Sequence, residues 1–293
     1  MVEGISKEWV AAQRAYNYRR TRERRVGTVE EARVFIDEVG FCHFWPIKDV
    51  ETPSLFHAIA GRVRDVPNAH DDPDIGKSWG WKDESLDKRW WYYGKLLRRR
   101  ATMVSLDLLP SVYACTDNFG SLDDYLTEYQ DGKLTAEAKA IYEAILEHGP
   151  LDTVRLRREA RMSADSAKAR FDRALVELQV GLKVVPVGVA SAGAWNYAFY
   201  YELFQRWFPE IPEQARAIKR GEARRTLVQR YLDNVVAADR KMIEKVFHVL
   251  KWTGWELDRT LEALLDEGSV REVEMSGETQ AQFLSLSPSC EVV

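Results

Sequence analysis

The sequence predicts a mostly helical α+β protein, assembled from tandem modules of three helices closed by a small β-hairpin, with an aromatic-rich helical insertion in the first module. Three observations predict it. Capping residues stand ahead of segments whose apolar positions recur every three or four residues. At two places three such segments are followed by an alternation of period two. Glycines and prolines punctuate the breaks. Three helices and a hairpin in that order make a winged-helix module. The chain then divides into a basic N-terminal helix (residues 1–26), a first winged-helix-like module carrying the insertion (27–130), a second module (131–207) and a third with a tail (208–293).

The middle module is the clearest. Thr135 caps a helix with Ile141, Tyr142, Ile145 and Leu146 on one face, and Gly149-Pro150 stops it. Asp152 caps a short second helix that turns Val154, Leu156 and Ala160 inward; Ser163 is placed to cap the third, where Ala167, Phe171, Leu175 and Leu178 share a face. Beyond Gly181, Val185, Val187 and Val189 alternate, as do Trp195, Tyr197 and Phe199, with small residues between them as the turn. The third module repeats the order. Residues 222–236 form a helix, Asp239 caps a second over 240–250, and a Thr253/Glu256 capping box opens a third with Leu257, Leu261 and Leu264. Val270, Val273 and Met275 then alternate, residues 283–286 return as a partner strand, and Phe208-Pro-Glu-Ile-Pro212 reads as the linker. In the first module Thr28 and Glu31 open a helix that Gly40 ends, and Thr52-Pro53-Ser54 opens another ending near Gly61. The insertion follows, with Trp79, Trp81, Trp90, Trp91, Tyr92 and Tyr93.

Composition fits a soluble cytoplasmic protein: 45% hydrophobic, 30% charged, no apolar run long enough for a membrane and no secretory leader. Cys42, Cys115 and Cys290 lie far apart, which suits a reducing compartment and excludes a cysteine-rich zinc site. A net charge of −4 argues against indiscriminate binding of polyanions, so any nucleic acid must meet a local basic surface. Candidates are Arg19 and Arg20 in the N-terminal arginine cluster, Arg98 and Arg99 in a second, and Ser166, Arg170 and Arg173 on the third helix of the middle module. Two readings stand for each cluster, a phosphate-gripping face or a solvated one; on the helix, an Arg173–Glu177 pair would close the surface.

Two stretches carry a family resemblance. Glu222-Ala-Arg-Arg-Thr-Leu-Val-Gln-Arg-Tyr-Leu232 with the helix at 257–265, and the helix after Thr28 followed by Gly40-Phe-Cys-His-Phe-Trp45, resemble the AlkZ/YcaQ-type DNA glycosylases. The element order extends the likeness over most of the chain. The resemblance implies tandem winged helices acting as a monomer on double-stranded DNA, excising alkylated or crosslinked bases without cofactor or metal. Those proteins carry a catalytic Gln-x-Gln or Gln-x-Asp where this chain has residues 40–45, which puts His43 on the first position and Trp45 on the second. Trp cannot accept a hydrogen bond, so the motif is degenerate.

Hydrolysing the bond to a cationic alkylated base requires extruding the base, placing a water and stabilising positive charge on the sugar. On that chemistry His43 orients or deprotonates the water, Trp45 stacks on the base, and Asp83 or Asp49 supplies negative field. The alternative is that residues 43–45 are packing residues beside Pro46, in a non-catalytic winged-helix regulator or lesion sensor. His70 with Asp71, Asp72 and Asp74 reads more simply as a solvated loop than as a metal site. Lys82 and Lys95 are candidate Schiff-base amines for a bifunctional enzyme. Nucleotide-driven and standard hydrolase motifs are missing.

Overall fold

Capping side chains start the helices of all three modules. In a computed structural model, which describes residues 4–69, 71–193 and 196–286, Thr28 Oγ1 accepts from Glu31 N (3.2 Å), Thr135 Oγ1 from Ala138 N (3.2 Å), Asp239 Oδ1 from Met242 N (2.8 Å) and Thr253 Oγ1 from Glu256 N (3.2 Å). Glu256 answers by accepting from Thr253 N (2.8 Å), which completes the expected box. Glu31 reaches one residue further, to Gly27 N (2.6 Å). Ser163 caps nothing; a short 3₁₀ turn over Asp165–Ala167 leads into the helix instead.

The elements fall into one order used three times. The first module runs α2 (Val29–Val39), β2 (Phe41–His43), α3 (Leu55–Ala60), α4 (Pro73–Lys88), β3 (Tyr92–Lys95) and β4 (Ala101–Val104). After α5 (Leu109–Ala114) and α6 (Asp124–Gln130), the second runs α7 (Ala136–His148), β5 (Leu151–Asp152), α8 (Thr153–Glu159), α9 (Lys168–Val180), β6 (Val184–Ala190) and β7 (Ala198–Leu203). The third, after α10 (Phe204–Trp207) and α11 (Glu210–Arg216), runs α12 (Arg220–Val235), β8 (Ala237–Ala238), α13 (Arg240–Phe247), α14 (Gly254–Asp266), β9 (Val270–Met275) and β10 (Gln282–Ser285). In each case the last strand lies between the first strand and its hairpin partner: β2-β4-β3, β5-β7-β6 and β8-β10-β9. This is the tandem winged-helix architecture.

Three details differ from the sequence expectation. The aromatic-rich segment is helical over α4 and then enters β3, so it supplies the third helix and first hairpin strand of its own module. The expected linker at 208–212 leads into α11, with Phe208 and Ile211 buried. The N-terminal segment is no separate arm: α1 (Lys7–Asn17) packs on α12, and β1 (Gly4–Ile5) adds to β9 in parallel. Trp195, expected in the middle hairpin, and Cys290 lie outside the described residues.

The modules share their largest core. Phe41, Tyr92 and Val104 of the first sheet, Leu182 and Val185 of the second module, Val112 and Tyr113 of α5, and Leu227, Tyr231 and Phe247 of the third module are all buried in one cluster. Phe41 sits 6.5 Å from Tyr231 and 6.0 Å from Phe247, ring centre to ring centre. Gly40 makes that approach possible. Its φ of +73° suits glycine, and a Cβ there would meet Arg230 Cγ at 2.8 Å and Leu108 Cδ2 at 2.9 Å. Arg230 in turn donates to the Asp37 and Glu38 carbonyls (3.1 Å each) at the end of α2, and Asn234 Nδ2 to the Val39 carbonyl (2.6 Å). Truncating Phe41 to alanine removes a ring that joins two modules. The expected cost is about 3–5 kcal/mol, with the modules still unfolding in one urea transition. Separate transitions for the first and third modules would show that the shared core does not couple them.

Candidate active site

The segment that ends in Trp45 splits its side chains between two faces. Successive strand residues point to opposite sides: Phe41 faces the third module, whereas Cys42 and Phe44 join the cluster built from α2, α3 and α4. His43 therefore shares the face of Phe41. Its side is fully buried, and neither ring nitrogen has a well-directed partner. Burial pushes its imidazolium down to about 4; the nearby Arg98 and Arg100 charges add to that shift, and the Ala101 carbonyl opposes it.

Asp83 lies on the other side. It receives a 2.7 Å ion pair from Lys82 Nζ and a 2.7 Å hydrogen bond from Tyr197 Oη, while Lys82 Nζ also donates to Tyr197 Oη at 2.6 Å. Rings of Trp79 (3.9 Å), Phe199 (4.7 Å), Tyr197 (5.1 Å), Tyr93 (5.7 Å) and Phe44 (5.8 Å) surround the ammonium. Desolvation brings Lys82 down to about 8, against the pull of Asp83. With its side chain wholly covered, this lysine presents no amine to a substrate; it joins α4 to Tyr197, the residue just ahead of β7 in the second module. The expected meeting of His43, Trp45 and Asp83 is thus corrected. His43 is sealed in the interior, Asp83 is neutralised by Lys82, and half-buried Trp45 packs on Phe44 (4.3 Å) and Phe56 (5.2 Å).

A pocket opens directly after Trp45. It has a volume of about 390 Å³, lies between residues 46–52 and α13, and is lined by Arg20, Asp49, Glu51, Thr52, His57 and Lys245 among others. Asp49 takes a left-handed backbone (φ +59°), and its carbonyl is held by Lys245 Nζ. The Asp49 carboxylate is exposed and makes no ion pair among the described residues. Glu51 is shared between Arg20 (3.3 Å) and Arg14 (3.9 Å). His57 Nε2 lies 2.9 Å from the Arg64 carbonyl. His57 escaped sequence reasoning because a histidine in the first turn of a short helix carries no motif.

The expected DNA contacts separate into two groups. Arg19 pairs with Glu38 (2.7 Å) and Arg20 with Glu51, while Arg98 donates to the Lys245 carbonyl (3.2 Å). These three arginines are engaged within the fold, Arg19 and Arg20 because the N-terminal segment docks on the body of the molecule. Arg99 and Arg173 are exposed and make no ion pair among the described residues; Ser166 is exposed, and Arg170 meets only Glu137 at 3.5 Å. Glu177 does not pair with Arg173 but accepts from Thr135 N (2.9 Å) and Thr135 Oγ1 (2.7 Å). Asp72 and Asp74 are tied to Arg64 (2.6 and 2.8 Å), and His70 lies outside the described residues.

The sequence model of the AlkZ-related family matches residues 26–248. The chain belongs to that family. Among solved structures, the Streptomyces sahachiroi DNA glycosylase AlkZ is similar, with a TM-score of 0.59 and 14% identity over 97% of this chain and 71% of that one. At that identity the likeness speaks for the fold. No curated protein matches. Among the described residues no helix is long and apolar enough to cross a membrane.

The buried histidine of this family member sets a pH dependence. The unfolded chain protonates His43 near the ordinary value of about 6.5, the folded one only near 4, so the unfolded state binds more protons between them. Stability is present above that window and lost as pH falls through it, by on the order of 2–3 kcal/mol for this residue. His57, also lowered by burial, acts in the same direction. Urea midpoints at pH 7 and pH 4.5 should differ less in His43→Leu than in wild type; equal differences would place His43 in contact with solvent.

Proposed function

We propose that this protein binds duplex DNA and hydrolyses the N-glycosidic bond of alkylated or crosslinked bases, with the pocket after Trp45 receiving the sugar and the extruded base. Membership of the AlkZ-related family supports this reading, as does the fold shared with a protein described as a DNA glycosylase. The observation that carries it is the unpaired Asp49 carboxylate on the pocket wall, four residues beyond the second motif position. Bond cleavage leaves positive charge on the sugar ring, and a fixed carboxylate beside it lowers the barrier more in the transition state than in the ground state. The pocket's volume falls in the range of about 300–1,000 Å³ usual for small-molecule sites. Arg98 reaches the Lys245 carbonyl, so the cationic turn at 98–100 stands beside the same pocket, where it can hold flanking phosphates. In this assignment Asp49, rather than Asp83, takes the electrostatic role for which the sequence offered both, Trp45 backs the pocket wall, and His43 shapes the strand behind it.

A second reading, DNA binding without catalysis, is favoured by one observation: the family's two water-holding positions are filled here by a sealed histidine and a tryptophan. Incubating the protein with duplex DNA carrying N7-alkylated guanine separates the two. Abasic product from wild type, reduced about 100-fold in Asp49→Asn with binding unchanged, is the expected result. Salt-dependent binding with no product from any adduct would leave the non-catalytic reading. Arg99→Gln and Arg173→Gln should each weaken binding across sequences and lower the salt slope by about one. An unchanged slope in both would move the DNA face elsewhere.

A further inference from the structure

We infer that the Arg98–Arg99 turn is a preformed seat for the phosphates of undamaged duplex DNA, held in a conformation that costs the free protein stability; the inference rests on the DNA-binding part of the reading above and not on hydrolysis. The hairpin between β3 and β4 closes with Arg100 N donating to the Leu97 carbonyl (3.0 Å) and Leu96 N to the Arg100 carbonyl (3.1 Å). Both central residues are left-handed, Arg98 at φ +56°, ψ +19° and Arg99 at φ +54°. Such a turn normally carries asparagine and glycine, because other residues with a Cβ are strained there. Here it carries two arginines. The surroundings hold them in place. Leu97 is buried in the shared core, Lys95 N donates to Gln179 Oε1 of α9 (2.9 Å), and Arg98 donates to the Lys245 carbonyl of α13 (3.2 Å). All three modules thus fix one hairpin tip.

The charge on the tip has no counterpart within the protein. Lys95, Arg99 and Arg100 are exposed, and their side chains make no ion pair or hydrogen bond among the described residues. Arg98 meets only a carbonyl. The cations act on like charges instead: the Lys95 ammonium is lowered by desolvation and then by Arg100, and Arg98 and Arg100 both disfavour a proton on His43. Backbone strain and repulsion therefore coincide at one spot. A polyanion removes the repulsion, and it meets a tip that is already rigid, so little ordering opposes binding. None of these four residues lines the pocket. What they can meet is the backbone to either side of a base seated there, and that backbone is the same with or without a lesion. Binding through the tip then precedes recognition of damage.

The test is to titrate undamaged duplex, and the same duplex carrying N7-methylguanine, at several salt concentrations, with melting temperatures measured on the same proteins. Wild type should bind the undamaged duplex. Lys95→Gln/Arg99→Gly/Arg100→Gln should bind it about tenfold or more weakly, with the salt slope lowered by about three. Arg99→Gly alone should melt a few degrees above wild type, and above Arg99→Gln, which removes the charge but keeps the strain. Inorganic phosphate at matched ionic strength should leave the duplex bound; displacement would make the tip a seat for free phosphate and overturn its assignment to DNA. An unchanged slope in the folded triple variant, or binding by wild type to the damaged duplex alone, overturns this inference and leaves the glycosylase reading standing. Equal melting temperatures for Arg99→Gly and Arg99→Gln overturn the claim of strain. No binding of either duplex by wild type overturns both this inference and the reading it rests on.

Discussion

The packing of β2 against the third module is the constraint on which the rest of the structure depends. Phe41 enters between Tyr231 and Phe247, and Gly40 lets α12 come close enough for Arg230 and Asn234 to satisfy the last carbonyls of α2. Strand alternation then decides the fate of each neighbour. Phe44 must face the Lys82 box, His43 must go inside, and the chain leaving Trp45 must turn over α13. One apolar contact thereby settles which side chains of residues 41–45 are buried and where the chain turns toward the pocket.

Further polar contacts tie the modules to one another. Arg14 Nε donates to the Val235 carbonyl at 2.7 Å and its Nη2 to the Ala237 carbonyl at 2.6 Å, so the N-terminal helix closes onto the end of α12. The same side chain lies 3.9 Å from Glu51 in the pocket wall. Lys82, Asp83 and Tyr197 fasten the second module's hairpin to α4. Each module's surface is partly spent on its neighbours.

Much of this was legible in the sequence because it is local. Thr28, Thr135, Asp239 and Thr253 announce their helices through contacts within a turn. The hairpin in the first module was hidden for a physical reason: it turns through Arg98 and Arg99 at positive φ, without the glycine or asparagine that normally marks such a turn. Inside α4 the buried positions include Ser78, Lys82 and Ser85, so its apolar period is blurred. Pro209 and Pro212 looked like a linker, yet proline is tolerated ahead of and within a first helical turn. The site was less legible still. Phe41 meets Tyr231 from nearly two hundred positions away, and Lys82 finds Tyr197 across 115 residues.

A structure of the protein on duplex DNA carrying an abasic-site analogue would show whether the pocket after Trp45 receives the sugar. The analogue's ring should be seated between residues 46–52 and α13, within reach of the Asp49 carboxylate, with flanking phosphates on the turn at 98–100. A duplex bound across another face, with that pocket turned away from the DNA, would contradict it.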